Sequence, residues 1–501
     1  MRFDVVVIGG GLAGLTAATA AARRGLKVAV VRRGLGTTAM SSGALDFPAG
    51  LPGLFGAGRP VRPVRPVRGA SPGGAVGSVG SRTPEDEAQD AGSVFDARDV
   101  REAFETFRGW LAEAGVRLEG EPGEGMLLLD TGGSVRRTDL AFPSAAAGRL
   151  DRWPGRAAGS GGADEGGAGK LLFLGVRGYA PFRPDWVARR VAAAGLIDPG
   201  RVAAGWVALP GPLGEEADLP GPRIARTLDD SATLEDFARL VAAEARRAGA
   251  SMVAMPPVLG LERAEEVRAA LAADGTVVFE LLSPPPSLPG QRLQGILDRL
   301  ARGAGAVVIS GTVKGLRREG RGGEGRVGAV SVEAHGRSFE VGAAEFVLAA
   351  GRFAAGGLSA ADGRLKEPVF GLAVYAPAPP GWPPDGVPAG RRLVTDMVYE
   401  RFRAGHPVFE AGLAVDAELR PLGADGGAPF SNLRAAGSII GGWNHFADGA
   451  GSGVAVVTGI RAGRLAAEAV LRGPGRLRPG AGSTEGRPRP DAQGREGGTG
   501  R

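Results

Sequence analysis

No cysteine occurs anywhere in the 501 residues. The chain therefore forms no disulfide, offers no thiol nucleophile and holds no iron–sulfur cluster by itself. If electrons pass from it to such clusters, other subunits must carry them. Histidine is nearly as scarce, with only His335, His406 and His445, so no metal site is expected. Long apolar runs are missing too. Nothing approaches the roughly eighteen uninterrupted apolar residues of a transmembrane helix, and no direct membrane span is predicted. The first thirty residues superficially resemble a signal peptide. Yet Phe3-Asp4 sits inside the apolar stretch, three glycines follow, and no cleavage site appears. The segment reads as strand–turn–helix, and a cytoplasmic location is the expectation.

The body of the chain also lacks the basic excess suggested by its net charge of +6 and pI near 10.2. Residues 59–82 hold five arginines and no acid, and residues 472–501 hold seven arginines against three acids, which leaves about −3 on the rest. This is a weakly acidic protein with basic appendages. No basic helix or aromatic-interleaved patch lies outside them, so nucleic acid is not an expected partner.

A chain of this length is expected to form more than one structural unit. Three stretches are too poor in large apolar residues to build a core: 50–92 with its Arg-Pro-Val repeats, 155–169, and the tail 472–501. Between them the periodicity is readable. Strands are predicted over 3–8, 27–31, 171–176 and 306–310, and helices over 12–24, 99–114, 184–194, 234–248, 262–272, 288–302 and 453–471. Residues 312–349 alternate as a β-meander, with turns at 320–325 and 335–336.

Gly9-Gly10-Gly11-Leu12-Ala13-Gly14 stands between the first strand and the first helix, and a second apolar strand arrives on schedule. In such a turn Gly9 makes the tight bend, Gly11 lets backbone approach a pyrophosphate, and Gly14 lets the helix lie close on the sheet. The helix N-terminus then presents free N–H groups and partial positive charge to phosphate. The acid that ends strand two in many dinucleotide sites is replaced by Arg32-Arg33. An arginine there suits a phosphate contact, or the acid is absent because no adenosine ribose needs it.

A second glycine-rich helix start lies near the other end of the chain: Gly437-Ser438, then Asn444, then Gly449, Gly451, Ser452, Gly453 and Val454. Its N–H groups suit the negative charge that develops at the N1/O2 edge of a reduced flavin. Two such helix starts match one cofactor lying between them. Strand 346–348 ends in small residues at Ala350 and Gly351, which lets the chain turn beside a nucleotide. Ser41, Ser42 and Gly43 follow strand two and offer hydroxyls for ribityl or phosphate oxygens. That loop contains no His or Cys, so the flavin, FMN or FAD, is expected to be bound non-covalently.

These signals define an α/β protein: a discontinuous Rossmann-like (FAD/NAD(P)-binding) flavin domain with an inserted α+β cap domain. The expected divisions are the flavin domain at 1–49, 286–357 and 406–471, a low-complexity insertion at 50–92, and the cap at 93–285 with a further segment at 358–405. The tail 472–501 is expected to be disordered.

Met1-Arg2-Phe3-Asp4, the run Gly9 to Leu15, Val31-Arg32-Arg33-Gly34 and Ser41-Ser42-Gly43-Ala44-Leu45-Asp46 together resemble the B subunit of anaerobic glycerol-3-phosphate dehydrogenase. The likeness continues in residues 171–178, 348–358 and 437–459, and covers most of the chain outside the low-complexity parts. It departs at Ser438, where related flavoproteins often carry an Asp. The resemblance implies a flavoprotein, with FMN usually ascribed to this subunit, that oxidises glycerol 3-phosphate to dihydroxyacetone phosphate with a quinone as final acceptor. It implies two partners: the enzyme's A subunit, which is a flavoprotein, and its C subunit, which is an iron–sulfur, membrane-anchoring protein. The chain would then be peripheral at the inner face of the membrane through that partner. More broadly the resemblance is to the fumarate-reductase and succinate-dehydrogenase flavoproteins, whose cap closes over the flavin.

Oxidising a secondary alcohol needs a base for the hydroxyl proton and cations for the phosphate. His445, in the Gly-Gly loop, is the candidate base; Arg136 and Arg401 are candidate phosphate ligands. A loop histidine and solvated arginines are the plain alternatives in so arginine-rich a chain. Two other readings compete: a different flavin dehydrogenase or reductase of the same superfamily, and a non-catalytic flavin protein that relays electrons.

Overall fold

The computed structural model describes residues 1–47, 51, 96–153, 169–272, 275–319, 325–377, 393–401, 405–444 and 447–473. Most of the stretches 50–92 and 155–169, nearly all of the tail, most of the 320–325 turn and His445 lie outside the described residues. Leu51, at the edge of the first stretch, is fully buried.

Strand β1 (Arg2–Ile8) leads through the glycine turn into helix α1 (Leu12–Ala22) and then β2 (Val28–Arg32). The middle of the chain supplies α2 (Ala97–Glu113), the hairpin β3 (Met126–Leu129) and β4 (Val135–Thr138), β5 (Lys170–Val176), α3 (Pro184–Ala193) and β6 (Val202–Val207). It continues with α4 (Gly221–Leu228), α5 (Ser231–Ala248), β7 (Ala250–Met255), α6 (Ala264–Leu271) and β8 (Val277–Glu280). Next come α7 (Leu288–Gly303), β9 (Val307–Ser310), and the meander β10 (Thr312–Glu319), β11 (Arg326–Ala334) and β12 (Arg337–Leu348). A small hairpin of β13 (Ser359–Ala361) and β14 (Arg364–Lys366), then β15 (Leu433–Ala435) and α8 (Gly451–Arg472), complete the chain.

Seven strands form the first sheet, ordered β10-β11-β12-β1-β2-β9, with β15 also on β12. Its centre is parallel: Val7 lies opposite Val30 on one side and Val347 on the other. The two ends of the chain are thereby built into one α/β, Rossmann-like unit. Every residue of α1 is buried, as an alanine-rich helix that is apolar all round requires. Helix α8 covers it at close range. A Cβ at Gly463 would stand 2.2 Å from the Ala17 carbonyl oxygen, and one at Gly459 2.2 Å from Thr16 Oγ1.

The inserted region contains a second sheet of four strands, β6-β5-β7-β8, in which every neighbouring pair is parallel. Of these strands only β5 was legible in the sequence. Leu172, Leu174 and Val176 meet Phe237 and Val241 on one face, while Leu171 and Phe173 meet Phe182 and Val187 on the other. β5, covered on both faces, reads as a plain apolar run, whereas β6 and β7 are alanine-rich and β8 is only four residues long. Among the described residues, no helix is long and apolar enough to cross a membrane.

Candidate cofactor site

A cavity of about 620 Å³ lies against the glycine turn. Gly11, Leu12 and Ala13 line it from the start of α1, and Thr38, Ser41, Ser42 and Asp46 from the loop after β2. Gly351 and Arg352 line it from the turn after β12, Gly437 and Ser438 from the turn after β15, and Trp443, Gly449, Gly451 and Ser452 from the approach to α8. Five separate stretches of sequence thus converge on one space, of a size usual for a cofactor.

The lining fits a flavin nucleotide. Helices α1 and α8 both begin without a side-chain cap and without an acid in the first turn, which suits an anion or a developing negative charge. A Cβ at Gly449 would meet no protein atom within 4 Å, and one at Gly11 would approach Thr38 Oγ1 only to 3.5 Å. Neither glycine is needed to relieve a clash within the protein, and both line the cavity. Thr38 also accepts a 2.8 Å hydrogen bond from the Leu12 N–H, which fixes the hydroxyl-rich loop on the helix start.

The remaining glycines of the turn serve the backbone. Gly9, at φ +116°, approaches the Ala349 carbonyl so closely that a Cβ would fall 2.1 Å from its oxygen. A Cβ at Gly14 would fall 2.0 Å from the Gly9 oxygen, and one at Gly10 2.3 Å from Arg32 Cδ.

Several residues expected at the cofactor or the substrate lie outside the cavity lining. Arg32 passes over Gly10 and pairs with Asp298 on α7 at 2.6 Å, so its charge is already engaged. Arg33 is exposed. Gly43 and Ala350 are outside the lining; Gly43, at φ +76°, makes room for Pro289. The Gly453 N–H donates to the Asp46 carbonyl at 2.9 Å, and Val454 is fully buried. Asn444 is buried and organises its own loop, its N–H donating to Asp448 and its side-chain oxygen accepting from the Ala447 N–H. Arg136 is exposed on β4, 3.4 Å from Asp130, and Arg401 is exposed and lines no part of the cavity.

Two cavity residues carry chemistry that sequence reasoning passed over. Asp46 accepts a 2.7 Å hydrogen bond from Thr138 Oγ1, and its own N–H donates to Ser452 Oγ at 2.6 Å. Burial pushes its carboxyl up to about 6; the hydrogen bond from Thr138 opposes the rise, Asp139 adds to it, and the charge of Arg136 opposes it. The only sequence signal was a lone acid in a loop of hydroxyls and apolar residues. Arg352 sends its buried guanidinium to the carbonyls of Ser438 (2.7 Å), Ile440 (3.0 Å), Trp443 (3.4 Å) and Phe409, and stacks over the Trp443 ring. At Glu410, the residue after Phe409, burial and the charge of Asp448 push the carboxyl up to about 7 against the pull of Arg352.

Comparison with known proteins agrees with this geometry. The chain matches the "FAD binding domain" family over residues 4–454. It is 29% identical over 467 residues to the B subunit of anaerobic glycerol-3-phosphate dehydrogenase from Actinobacillus succinogenes, covering 92% of this chain and 97% of that one. It is 31% identical over 486 residues to the probable B subunit of the same enzyme from Halobacterium salinarum, covering 93% and 98%. Among solved structures, the 3-ketosteroid-Δ4-(5α)-dehydrogenase of Rhodococcus jostii RHA1 is similar at 14% identity over 93% of this chain and 97% of that one, with a TM-score of 0.37; a likeness of that size says nothing of substrate. Of the two flavins the sequence left open, the family match selects FAD. The chain therefore belongs to the FAD-binding domain family and, within it, to the B-subunit family of anaerobic glycerol-3-phosphate dehydrogenase.

Proposed function

We propose that this chain is the flavin subunit of a glycerol-3-phosphate:quinone oxidoreductase and that it oxidises glycerol 3-phosphate to dihydroxyacetone phosphate. The observation that carries the reading is Asp46, an acid in the wall of the FAD cavity whose carboxyl burial pushes up to about 6. The reaction removes a hydride from carbon and a proton from the hydroxyl on that same carbon, and bound FAD would supply the hydride acceptor. The carboxylate of Asp46 takes the hydroxyl proton, with His445, which lies outside the described residues, as the other candidate base; a group of this pKa is ionised enough to accept a proton and weak enough to release it. Thr138 orients the carboxyl. Arg136, two residues before Thr138 on β4 and outside the cavity lining, stays a candidate ligand for the substrate phosphate. The names of the relatives support the substrate and the membership of a multi-subunit assembly. A second flavoprotein and an iron–sulfur, membrane-anchoring protein are the partners that the resemblance implies, and the absence of cysteine leaves any cluster to be held by a partner.

The test is anaerobic addition of glycerol 3-phosphate to the FAD-loaded chain, alone and with its co-expressed partners. Bleaching of the visible flavin band together with formation of dihydroxyacetone phosphate is expected from the chain alone. Bleaching that requires the second flavoprotein would instead make this chain an electron relay. No bleaching by the full complex, while dithionite still bleaches it, would exclude the substrate.

A further inference from the structure

The deeply buried arginines differ in one respect. Arg292 and Arg434 each face a carboxylate directly, Glu280 and Glu345. Arg352 makes no ion pair among the described residues; its donors go to the backbone carbonyls of Ser438, Phe409, Ile440 and Trp443. Burial lowers its pKa only to about 10, so it stays charged near neutral pH. Burying a cation without a contacting anion is costly, and a backbone clamp alone does not require one.

The position of the charge supplies a reason. The guanidinium lies 4.9 Å from the centre of the Trp443 ring. The tip of that ring lies 3.9 Å from where a Cβ of Gly451 would stand, at the first residue of α8. Arg352, Trp443 and Gly451 all line the FAD cavity. The buried cation and the positive end of α8 are therefore on the same wall. An electron acceptor that gains negative charge on reduction is made more oxidising by such a wall.

We propose that Arg352 is the fixed cation of the FAD cavity, raising the electron affinity of the bound flavin through its charge, with Glu410 as the counter-charge that trims this effect. The inference rests on FAD binding and is independent of the substrate. Arg352 acts across Trp443 and is a positioning residue for charge. Glu410 is faced by Asp448 from the loop before α8, by Arg352 from the turn after β12, and by the Tyr399 hydroxyl, which feels its charge in return. On its own element His406 lies against Phe409.

The readout is sulfite affinity of the FAD-loaded protein, which tracks the electron affinity of the flavin without any substrate turnover, together with its midpoint potential. Arg352→Met is expected to weaken sulfite binding tenfold or more, with the potential falling by about 30 mV for each tenfold. Arg352→Lys keeps the charge while losing the fork of hydrogen bonds, and is expected to stay within about threefold of the native protein. Equal losses in both variants would make Arg352 a backbone clamp only and overturn the proposal, as would no change in Arg352→Met. Should Arg352→Met fail to fold or lose its flavin, Glu410→Gln decides. Compared with the native protein at the same pH, it is expected to bind sulfite more tightly at about pH 8.5 and equally at about pH 5.5, where Glu410 is already protonated. No difference at either pH overturns the proposal.

Discussion

Arg292 and Glu280 meet in two parallel hydrogen bonds, Nη1 to Oε2 at 2.6 Å and Nη2 to Oε1 at 2.9 Å, with side chains only 4% and 1% exposed. Glu280 ends β8 in the second sheet, whereas Arg292 stands on α7, which leads back into the first. Glu280 also accepts from Ser144 Oγ and the Leu259 N–H, each at 2.8 Å, and Arg292 Nε donates to the Gly260 carbonyl. The pair thus fixes α7 against the inserted unit. The consequence reaches the cofactor. Gly290, near the start of α7, lies so close to the cavity loop that a Cβ would fall 2.3 Å from the Ser41 carbonyl oxygen.

Breaking this pair from one side strands a buried carboxylate. Arg292→Met is therefore expected to cost about 3–5 kcal/mol in urea unfolding, and replacing both partners by apolar residues much less. FAD affinity is expected to fall with the single change, because the loop bearing Ser41 and Ser42 loses its backing. A single variant as stable as the native protein would show that the junction does not depend on this pair.

Gly14 and Gly109 make a matched test of the glycine turn. A Cβ at Gly14 would fall 2.0 Å from the Gly9 oxygen, whereas one at Gly109, within α2, meets nothing within 4 Å. Gly14→Ala forces α1 away from the turn and is expected to cost about 1–3 kcal/mol and most of the bound FAD. Gly109→Ala is expected to gain about 0.5–1 kcal/mol and leave the flavin content unchanged. Thermal melts and the ratio of visible to protein absorbance would report both.

What the sequence disclosed follows from how local each signal is. Gly9, Gly11 and Gly14 act within six residues, so the βαβ turn is visible as a word. The apolar helix of α8, beginning after Gly449, is visible for the same reason. Arg32 is different: its spacing suggested a phosphate ligand, but its partner Asp298 lies 266 positions away and no local pattern announces it. Asp46 likewise acquires its raised pKa from burial and from Thr138, Asp139 and Arg136, which arrive from the inserted unit. Strands β6, β7 and β8 escaped because their own residues are short or alanine-rich runs, and their parallel pairing with β5 and with one another is what makes them strands. In each case the missing information is a neighbour distant in sequence.

Asp46 joins stability to chemistry in a way that one substitution separates. Its carboxyl is raised from 3.8 to about 6 in the folded protein, so the folded state holds its proton more tightly than the unfolded chain does. Its contribution to stability is then fully present below about pH 4 and is lost as the pH rises through about 6. A shift of this size corresponds to about 1–3 kcal/mol once partial solvent access is discounted. Asp46→Asn still accepts the Thr138 hydrogen bond but carries no charge to bury. Melted without FAD, it is expected to match the native chain at about pH 4 and to exceed it above about pH 6.5. The same variant loses the proton acceptor. Reduction of its flavin by glycerol 3-phosphate is expected to slow by about 100-fold or more, and the rise in rate that the native protein shows through about pH 6 is expected to vanish. A rate that falls without the change in pH profile would make Asp46 a residue of the loop's structure rather than the proton acceptor. A variant less stable than the native chain at every pH would show that the carboxyl is held by partners that favour its charge.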